Sequence, residues 1–204
     1  MRRRTLPRSF YRRDSRVVAP ELLGKLLVRR SIDGPSLVAR IVEVEAYAGA
    51  EDPGSHGYRG ETPRTRTMFG RPGHLYVYFT YGMHWCANAV CGEVGESSAV
   101  LLRAAAPLDG LDRLRANRGP VAKRDRDLCS GPAKLCQAFG IDGDFDGADL
   151  VTGDRGLRIL DDGTPPPEVP AVTRRVGLSA GVEHEWRWLV PGDPNVSGPR
   201  NVGP

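Results

Sequence analysis

The feature that most constrains the fold is an alternating run of residues from about Leu37 to Tyr47. Side chains along a β-strand point to opposite faces with a period of two, so this run predicts a half-buried strand. One predicted face consists of Val38, Val42, Val44 and Ala46, and the other of Ile41, Glu43, Glu45 and Tyr47. We therefore expect the first face to pack in a core and the second to present polar chemistry.

The glycine and proline content limits how helical the chain can be. With 25 Gly and 17 Pro in 204 residues, many turns are required, which disfavours an all-helical fold. The length fits one domain, and no apolar stretch is long enough to cross a bilayer. Further strands are predicted at 25–30, 74–80, 84–90, 98–104 and 186–190, and helices at 20–23, after a cap at Asp109, and after Ser130 with an end at Gly140. The sequence therefore predicts a single domain that mixes α and β elements, with no membrane association.

The first residues differ in charge from the rest of the chain. Residues 1–13 contain six arginines and no acid, and no apolar stretch follows them as a secretory signal would require. Arginine suits phosphate contacts because its guanidinium fork is planar and stays protonated. We expect residues 1–13 to form a flexible basic arm and residues 14–204 to form the domain.

The cysteine spacing gives information about the cellular compartment. The chain has four cysteines, Cys86, Cys91, Cys129 and Cys136. Their spacing matches neither a zinc-binding pair nor a disulfide framework. We predict reduced and mostly buried thiols. Together with the missing signal, this leads us to expect a cytoplasmic protein.

A long polar loop and a hairpin follow the first strand. Residues 48–72 are rich in Gly, Pro and Arg and offer little to bury, which is typical of a functional surface loop. Within it, Thr62 and Arg64 are candidates for contacts with phosphates. The two strands after the loop predict a hairpin whose tip contains Tyr81 and Gly82. An aromatic ring at such a tip suits a wedge that unstacks nucleic acid bases.

The polar face of the first strand is the best candidate for chemistry. Glu43, Glu45 and Tyr47 share that face, where a carboxylate can accept a proton from water and a ring can hold a flat substrate. The alternative is a solvated outer strand face. Asn88 and Arg103 interrupt apolar runs, so each belongs either to a structural hydrogen-bond network or to a site.

Motifs for metal, nucleotide and serine chemistry are missing from the sequence. We find no HExxH, P-loop, GxSxG or dinucleotide fingerprint. His74, His84 and His184 have no metal-ligand spacing, so we assign them to structure or surface. The sequence therefore predicts an activity without metal or cofactor.

Several blocks of the sequence follow one another in a fixed order, and they are Val42–Tyr47, Glu51-Asp52, His56, Thr62–Arg64, Gly73–Tyr78, Tyr81–Met83, Asn88, Val100–Ala104 and Cys129–Leu135. In this order they resemble one family, the 3-methyladenine DNA glycosylases that include the mammalian alkyladenine glycosylase, and the similarity extends from roughly Leu22 to the C-terminus. The resemblance implies a single mixed α/β (α+β) domain around a curved antiparallel sheet or open barrel with surrounding helices.

The resemblance implies roles for the residues around the predicted strand. Glu45 is similar to the carboxylate that deprotonates the water attacking C1′ of the deoxyribose, and Arg103 to the arginine that fixes this water. Tyr47, His56 and Tyr78 are similar to the residues that sandwich the flipped base.

The resemblance also implies roles at the DNA surface and the edge of the base. Tyr81 is similar to the wedge that replaces the extruded nucleotide, with Met83 as its support. Asn88 is similar to a gatekeeper that obstructs the 2-amino group of guanine. His84 stands where a tyrosine is expected in mammalian relatives, which bears on substrate range.

The expected function is that of a monofunctional base-excision repair glycosylase. It would act as a monomer on double-stranded DNA that contains alkylated or deaminated purines, and leave an abasic site. Two alternatives remain open: a non-enzymatic nucleic-acid-binding module, for which Glu45 would be incidental, and a glycoside hydrolase that uses Glu43 and Glu45 as its carboxylate pair.

Overall fold

The computed structural model describes residues 3–31 and 34–198, and within them nine β-strands form one sheet. The strands are β1 (Arg4–Thr5), β2 (Leu26–Arg29), β3 (Leu37–Ala48), β4 (Leu75–Thr80), β5 (His84–Cys91), β6 (Ser98–Asp109), β7 (Leu157–Asp161), β8 (Ala171–Thr173) and β9 (Arg187–Leu189). The helices are α1 (Arg8–Tyr11), α2 (Ser15–Leu22), α3 (Leu111–Arg118) and α4 (Pro132–Phe139). The sheet is antiparallel and strongly curled into a half-barrel, which confirms the predicted fold class.

Strand β3 lies at the centre of the sheet. The main path runs β1-β7-β2-β3-β6-β5-β4, with β6 paired along nearly the whole of β3. The other edge of β3 changes partner: β2 pairs with Leu37–Arg40, and β9 pairs with Glu43–Glu45. Helix α2 packs on β3, while α4 packs on β5 and β6. The two halves of β3 therefore meet different neighbours.

A β-bulge separates these two halves. The register against β6 shifts between Ile41 and Glu43 and again between Glu43 and Val44. Ile41 and Val44 consequently lie in the same main core, although they differ by three positions. Such an extra residue inverts the alternation beyond it. Our prediction that Val38 and Val42 share a face with Val44 and Ala46 was wrong, because they lie in two smaller apolar clusters, whereas beyond the bulge the predicted alternation is confirmed.

The N-terminal segment packs against the domain. Arg4 and Thr5 pair with β7, the Arg8 guanidinium lies 2.6 Å from the Asp149 carboxylate, and Tyr11 is fully buried. The expectation of a separate arm is therefore not met for residues 3–13, because they cover the open edge of β7 and contribute to the core. Residues 1 and 2 lie outside the described residues.

Local capping explains where the helices begin and end. Helix α2 starts earlier than the predicted 20–23 because the Asp14 side chain caps its first turn. The predicted Asp109 cap was wrong: Asp109 ends β6, and Gly110, at φ 75°, precedes α3. Helix α4 ends at Gly140 as predicted, with φ 60°.

Three further expectations concern the chain as a whole. The four cysteine thiols are unpaired and buried. Among residues 3–31 and 34–198, no helix has the length and apolarity needed to span a membrane. In the same residues, no group of three or more His, Cys, Asp or Glu side chains is arranged to hold a metal ion.

Candidate active site

A cavity of about 200 Å³ opens between the β4–β5 hairpin, β6 and the loops at 54–56 and 176–178. Its lining includes six of the ten residues predicted for the site: Tyr47, His56, Tyr78, Tyr81, Asn88 and Arg103. A larger hollow of about 540 Å³ lies elsewhere and includes none of the ten. The smaller cavity is therefore the candidate active site, because sequence and geometry converge on it.

Glu45 lies directly behind the wall of this cavity and is fully buried. The Tyr47 hydroxyl donates a hydrogen bond to its Oε2 at 2.9 Å, and the Val176 amide donates to its Oε1 at 2.7 Å. Nη1 of Arg103 lies 3.2 Å from the same Oε1. Tyr47 and Arg103 thus connect the carboxylate to the cavity that both of them line.

A second carboxylate, Glu43, lies next to Glu45 on the same face of β3. It is fully buried and accepts hydrogen bonds from Arg103, Arg187 and Ser197. Burial alone would raise the pKa of Glu43, but the charges of Arg103 and Arg187 outweigh it and hold the pKa below its ordinary value. The strand face that the sequence left open as a solvated surface is instead a buried ionic cluster.

The Tyr47 ring is held from behind by a buried ion pair. The Arg175 guanidinium carbon lies 4.7 Å from the centre of the ring, and Arg175 binds the Asp52 carboxylate at 2.5 and 2.7 Å. Burial, and after it the charge of Glu45, raise the pKa of Tyr47 well above its ordinary value. The hydroxyl therefore stays protonated and donates a hydrogen bond to Glu45.

The opposite wall is aromatic. The Tyr76 and Tyr78 rings stack at 5.5 Å, and the His56 ring meets Tyr78 edge-on at 4.5 Å. Nδ1 of His56 lies 3.2 Å from the Tyr76 hydroxyl. Partial burial, and after it the charge of Arg64, lower the pKa of His56, which keeps the imidazole neutral near pH 7. This wall presents flat surfaces that carry no charge.

One polar side chain interrupts this wall. Asn88 is buried and donates from Nδ2 to the Tyr76 carbonyl at 3.2 Å. That hydrogen bond fixes the amide in the lining of the cavity. The fixed amide takes up space in the cavity wall, where it can obstruct a substituent on the base sterically, which suits the predicted gatekeeper role.

The hairpin tip forms the rim of the cavity. Tyr81 is 80% exposed and Met83 is 67% exposed. Tyr81 has φ 52° and Gly82 has φ 67°, a pair of left-handed residues that normally favours Asn-Gly. A tyrosine at the first position carries a strain of about 1 kcal/mol or more. The predicted tip is confirmed, and it presents its ring at a backbone position that favours another residue type.

Met83, Thr62 and Arg64 do not line the cavity. Arg64 lies beside it, with its guanidinium carbon 5.6 Å from the Tyr78 ring centre. The Thr62 hydroxyl lies 2.9 Å from that of Thr65 and closes its own turn. Arg64 therefore lies beside the end of β4 that leads into the hairpin tip, while Thr62 has a partner within its loop.

Sequence reasoning missed five groups that organise the site. They are Asp52, Arg175, Val176, Arg187 and Ser197. Apart from Asp52, they come from the last 30 residues, where the only predicted element was the closing strand at 186–190. Three isolated polar residues in that segment, the two arginines and the serine, are the only signal that pointed to them.

Comparison with known proteins identifies the family. A sequence model of the family described as Methylpurine-DNA glycosylase (MPG) matches residues 9–194. Three bacterial proteins provisionally named 3-methyladenine DNA glycosylase are similar throughout. The Burkholderia lata protein is 57% identical over 95% of this chain and 91% of its own. Those of Streptomyces avermitilis and Carboxydothermus hydrogenoformans are 48% and 46% identical, over 96% and 94% of this chain and 92% and 98% of their own.

These relatives are bacterial, so the narrower similarity to the mammalian enzyme stays a prediction. The family match covers most of the chain and the whole cavity lining. The chain belongs to the methylpurine-DNA glycosylase family and is a DNA repair glycosylase, a hydrolase that acts on DNA.

Proposed function

We propose that this glycosylase flips alkylated or deaminated purines out of duplex DNA and hydrolyses their N-glycosidic bond with a water activated by Glu45. One observation carries the proposal. An aromatic cavity has an ionic carboxylate cluster behind one wall and an 80% exposed tyrosine at its rim. These are the parts that base extrusion, base binding and water activation each need.

Extrusion of the base is assigned to the hairpin tip. Removing a nucleotide from the stack costs a few kcal/mol, and a ring that fills the gap offsets part of this cost. Tyr81 is the exposed ring next to the cavity, with Met83 beside it on the same tip. Arg64 lies beside the end of β4 that leads into the same tip, where its charge suits a phosphate flanking the lesion.

Binding of the base is assigned to the aromatic walls. A purine alkylated at N3 or N7 is a cation and stacks on electron-rich rings with about 0.5 to 2 kcal/mol of cation–π attraction. Tyr47 and Tyr78 supply such rings, and a neutral His56 avoids repulsion. Asn88 faces the edge of the base and disfavours a 2-amino group.

The chemical step is assigned to Glu45. Its carboxylate takes a proton from water as the oxygen bonds to C1′, while the C1′–N bond breaks and its electron pair leaves with the base. The same negative charge stabilises the oxocarbenium-like sugar. Arg103 fixes the carboxylate and the water beside it. An alkylated base departs neutral, so it needs no proton from the enzyme. A deaminated base such as hypoxanthine departs as an anion and takes its proton from the solvent.

The lining also bears on lyase chemistry and oligomeric state. No lysine is among the residues that line the cavity, so the described site offers no side-chain amine for a Schiff base, which supports a monofunctional glycosylase. One chain supplies every described group of the site, and one flipped base needs one cavity. We therefore expect a monomer to suffice.

The experiment is release of free base, without added metal, from duplexes that carry either 3-methyladenine or hypoxanthine. Wild type should release base and Glu45→Gln should not, while both bind the duplex. Asp162→Asn is a matched control, since Asp162 pairs with Arg40 away from the cavity. Failure of wild type on both lesions would refute the proposal, and full activity of Glu45→Gln would refute the role of its carboxylate.

A further inference from the structure

The proposed mechanism uses Glu45 and Arg103 and gives no role to Glu43. Like Glu45, this second carboxylate is fully buried and does not line the cavity, but its two oxygens already accept four hydrogen bonds, from Arg103, Arg187 and Ser197. Burying a carboxylate costs several kcal/mol unless charges and hydrogen bonds compensate for it. An apolar residue at this position would avoid that cost. The arrangement of its partners indicates what Glu43 contributes.

Arg103 uses each side of its guanidinium for a different contact. Along one edge, Nε donates to Glu43 Oε1 at 2.7 Å and Nη2 donates to Ser197 Oγ at 3.1 Å. Only Nη1 lies close to Glu45, at 3.2 Å. Because the guanidinium is planar and rigid, fixing one edge fixes the direction of the remaining nitrogen.

Glu43 is itself held by two separate parts of the chain. Nε of Arg187, on β9, donates to its Oε1 at 2.7 Å. The Ser197 amide donates to Oε2 at 2.6 Å, and the Ser197 hydroxyl donates to Oε1 at 2.8 Å. Nη2 of Arg187 also donates to the Ser197 carbonyl at 3.0 Å. Ser197 lies beyond the 9–194 span that the family model matches.

The charges in this cluster explain why Arg103 needs an anchor. Two carboxylates, Glu43 and Glu45, face two guanidiniums, Arg103 and Arg187. An arginine left with Glu45 alone favours a bidentate pair, which would occupy both carboxylate oxygens. With Glu43 in place, Arg103 meets Glu45 only at Oε1, so Oε2, which accepts a single hydrogen bond from Tyr47, keeps a lone pair that can accept a proton.

We propose that Glu43 is a positioning residue that, with Ser197 and Arg187, holds Arg103 edge-on so that only Nη1 faces Glu45. The proposal rests on the roles proposed above for Glu45 and Arg103. It makes the C-terminal segment at 195–197 part of the catalytic apparatus, although no residue of that segment lines the cavity.

The first test is Glu43→Gln, which keeps the shape and removes the charge. The rate of base release at saturating enzyme should fall about 100-fold, the loss typical of a misplaced catalytic group. The dissociation constant for the lesion duplex should stay unchanged. Thermal unfolding and Asp162→Asn serve as controls for folding and for loss of a remote carboxylate. A weaker affinity at an unchanged rate would overturn the proposal.

The second test separates positioning from general support of the fold. In an Arg103→Ala background, Glu43→Gln should cost little more, because a residue that acts through Arg103 has nothing left to position. An undiminished cost in that background would overturn the proposal.

A third variant covers the case in which Glu43→Gln fails to fold. Ser197→Ala keeps every charge and removes the hydroxyl that hydrogen-bonds both Arg103 and Glu43, and it should slow base release about tenfold, within the range that two lost hydrogen bonds can give. A wild-type rate for Ser197→Ala would remove Ser197 from the positioning unit. If wild type itself releases no base, the proposed function fails. If wild type is active and Glu45→Gln inactive but Glu43→Gln matches wild type, only this inference fails.

Discussion

The carboxylate side of β3 and the tip of the β4–β5 hairpin border the same cavity, but their construction differs. Glu45 is fully buried and has three partners, whereas Tyr81 is 80% exposed with a left-handed backbone. Groups that act on a transition state gain from being fixed before the substrate arrives. A group that must enter the DNA stack has to project from the surface. The comparison teaches that one site can combine a rigid interior with an exposed, strained rim.

The largest loss of excision rate should come from a substitution in the rigid carboxylate side of the cavity. Glu45→Gln removes the base but keeps the hydrogen-bonding shape, so excision should fall about 1000-fold, within the usual range for a general base. Single-turnover assays on a 3-methyladenine duplex measure this. Duplex affinity should persist because the hairpin is untouched. A loss of affinity as large as the loss of rate would contradict the division between the two regions.

A substitution at the exposed hairpin tip should give a smaller loss of excision rate, and one that depends on whether the DNA is double-stranded. Tyr81→Ser removes the ring that fills the gap, so excision from duplex DNA should fall about 10- to 100-fold, equal to a few kcal/mol of unstacking. Excision from a single strand should change much less, since no stack has to be opened. Parallel assays on the two substrates measure the ratio. Equal losses on both would remove the wedge role.

The strain at the tip can be tested through stability. Tyr81→Asn places a residue that tolerates left-handed backbone before Gly82, and it should raise the free energy of unfolding by about 1 kcal/mol. Urea unfolding measures this, and duplex excision should fall as it does for Tyr81→Ser. A destabilised Tyr81→Asn would show that the ring itself stabilises the fold.

The smallest effect should come from the charge of the aromatic wall. The pKa of His56 is lowered, so the imidazole gains its proton only below pH about 6.5, the ordinary value. Once charged, it repels a cationic base, so excision of 3-methyladenine should fall about threefold relative to hypoxanthine as the pH decreases. Measuring both lesions across pH with wild type and His56→Gln isolates this change. The same ratio at every pH in wild type would contradict it.

The exposed region was the easier one to predict from sequence. A hairpin tip depends on neighbouring residues, and Gly82 between two alternating runs indicated where the chain turns. The alternation of Glu43, Glu45 and Tyr47 was likewise a local pattern, and the structure places all three as predicted relative to Val44. Local patterns, together with the family resemblance, therefore named six of the sixteen residues that line the cavity.

The rigid region depends on contacts that sequence spacing does not reveal. Arg175, Arg187 and Ser197 reach Glu43, Asp52 and the Tyr47 ring from positions more than 120 residues away. Ile41–Glu43 contains no glycine or proline that would have indicated a bulge. We therefore assumed unbroken alternation, which placed Val38 and Ile41 on the wrong faces. The segment at 3–13 was misjudged for a related reason, since the strand edge that it covers belongs to β7.

The bulge in β3 also limits how this sequence can change over generations. Before the bulge, Leu37, Ala39 and Ile41 only fill the core, so substitutions at these three positions are limited mainly by volume. Deleting a single residue at Val42–Glu43 would keep strand-forming sequence on both sides but exchange the two faces beyond it. The carboxylates would then face hydrocarbon, while Val44 and Ala46 would face Arg103. At Val42–Glu43, inserting or deleting a residue should therefore be more damaging than substituting one. We expect selection against insertions and deletions here even where substitutions are tolerated.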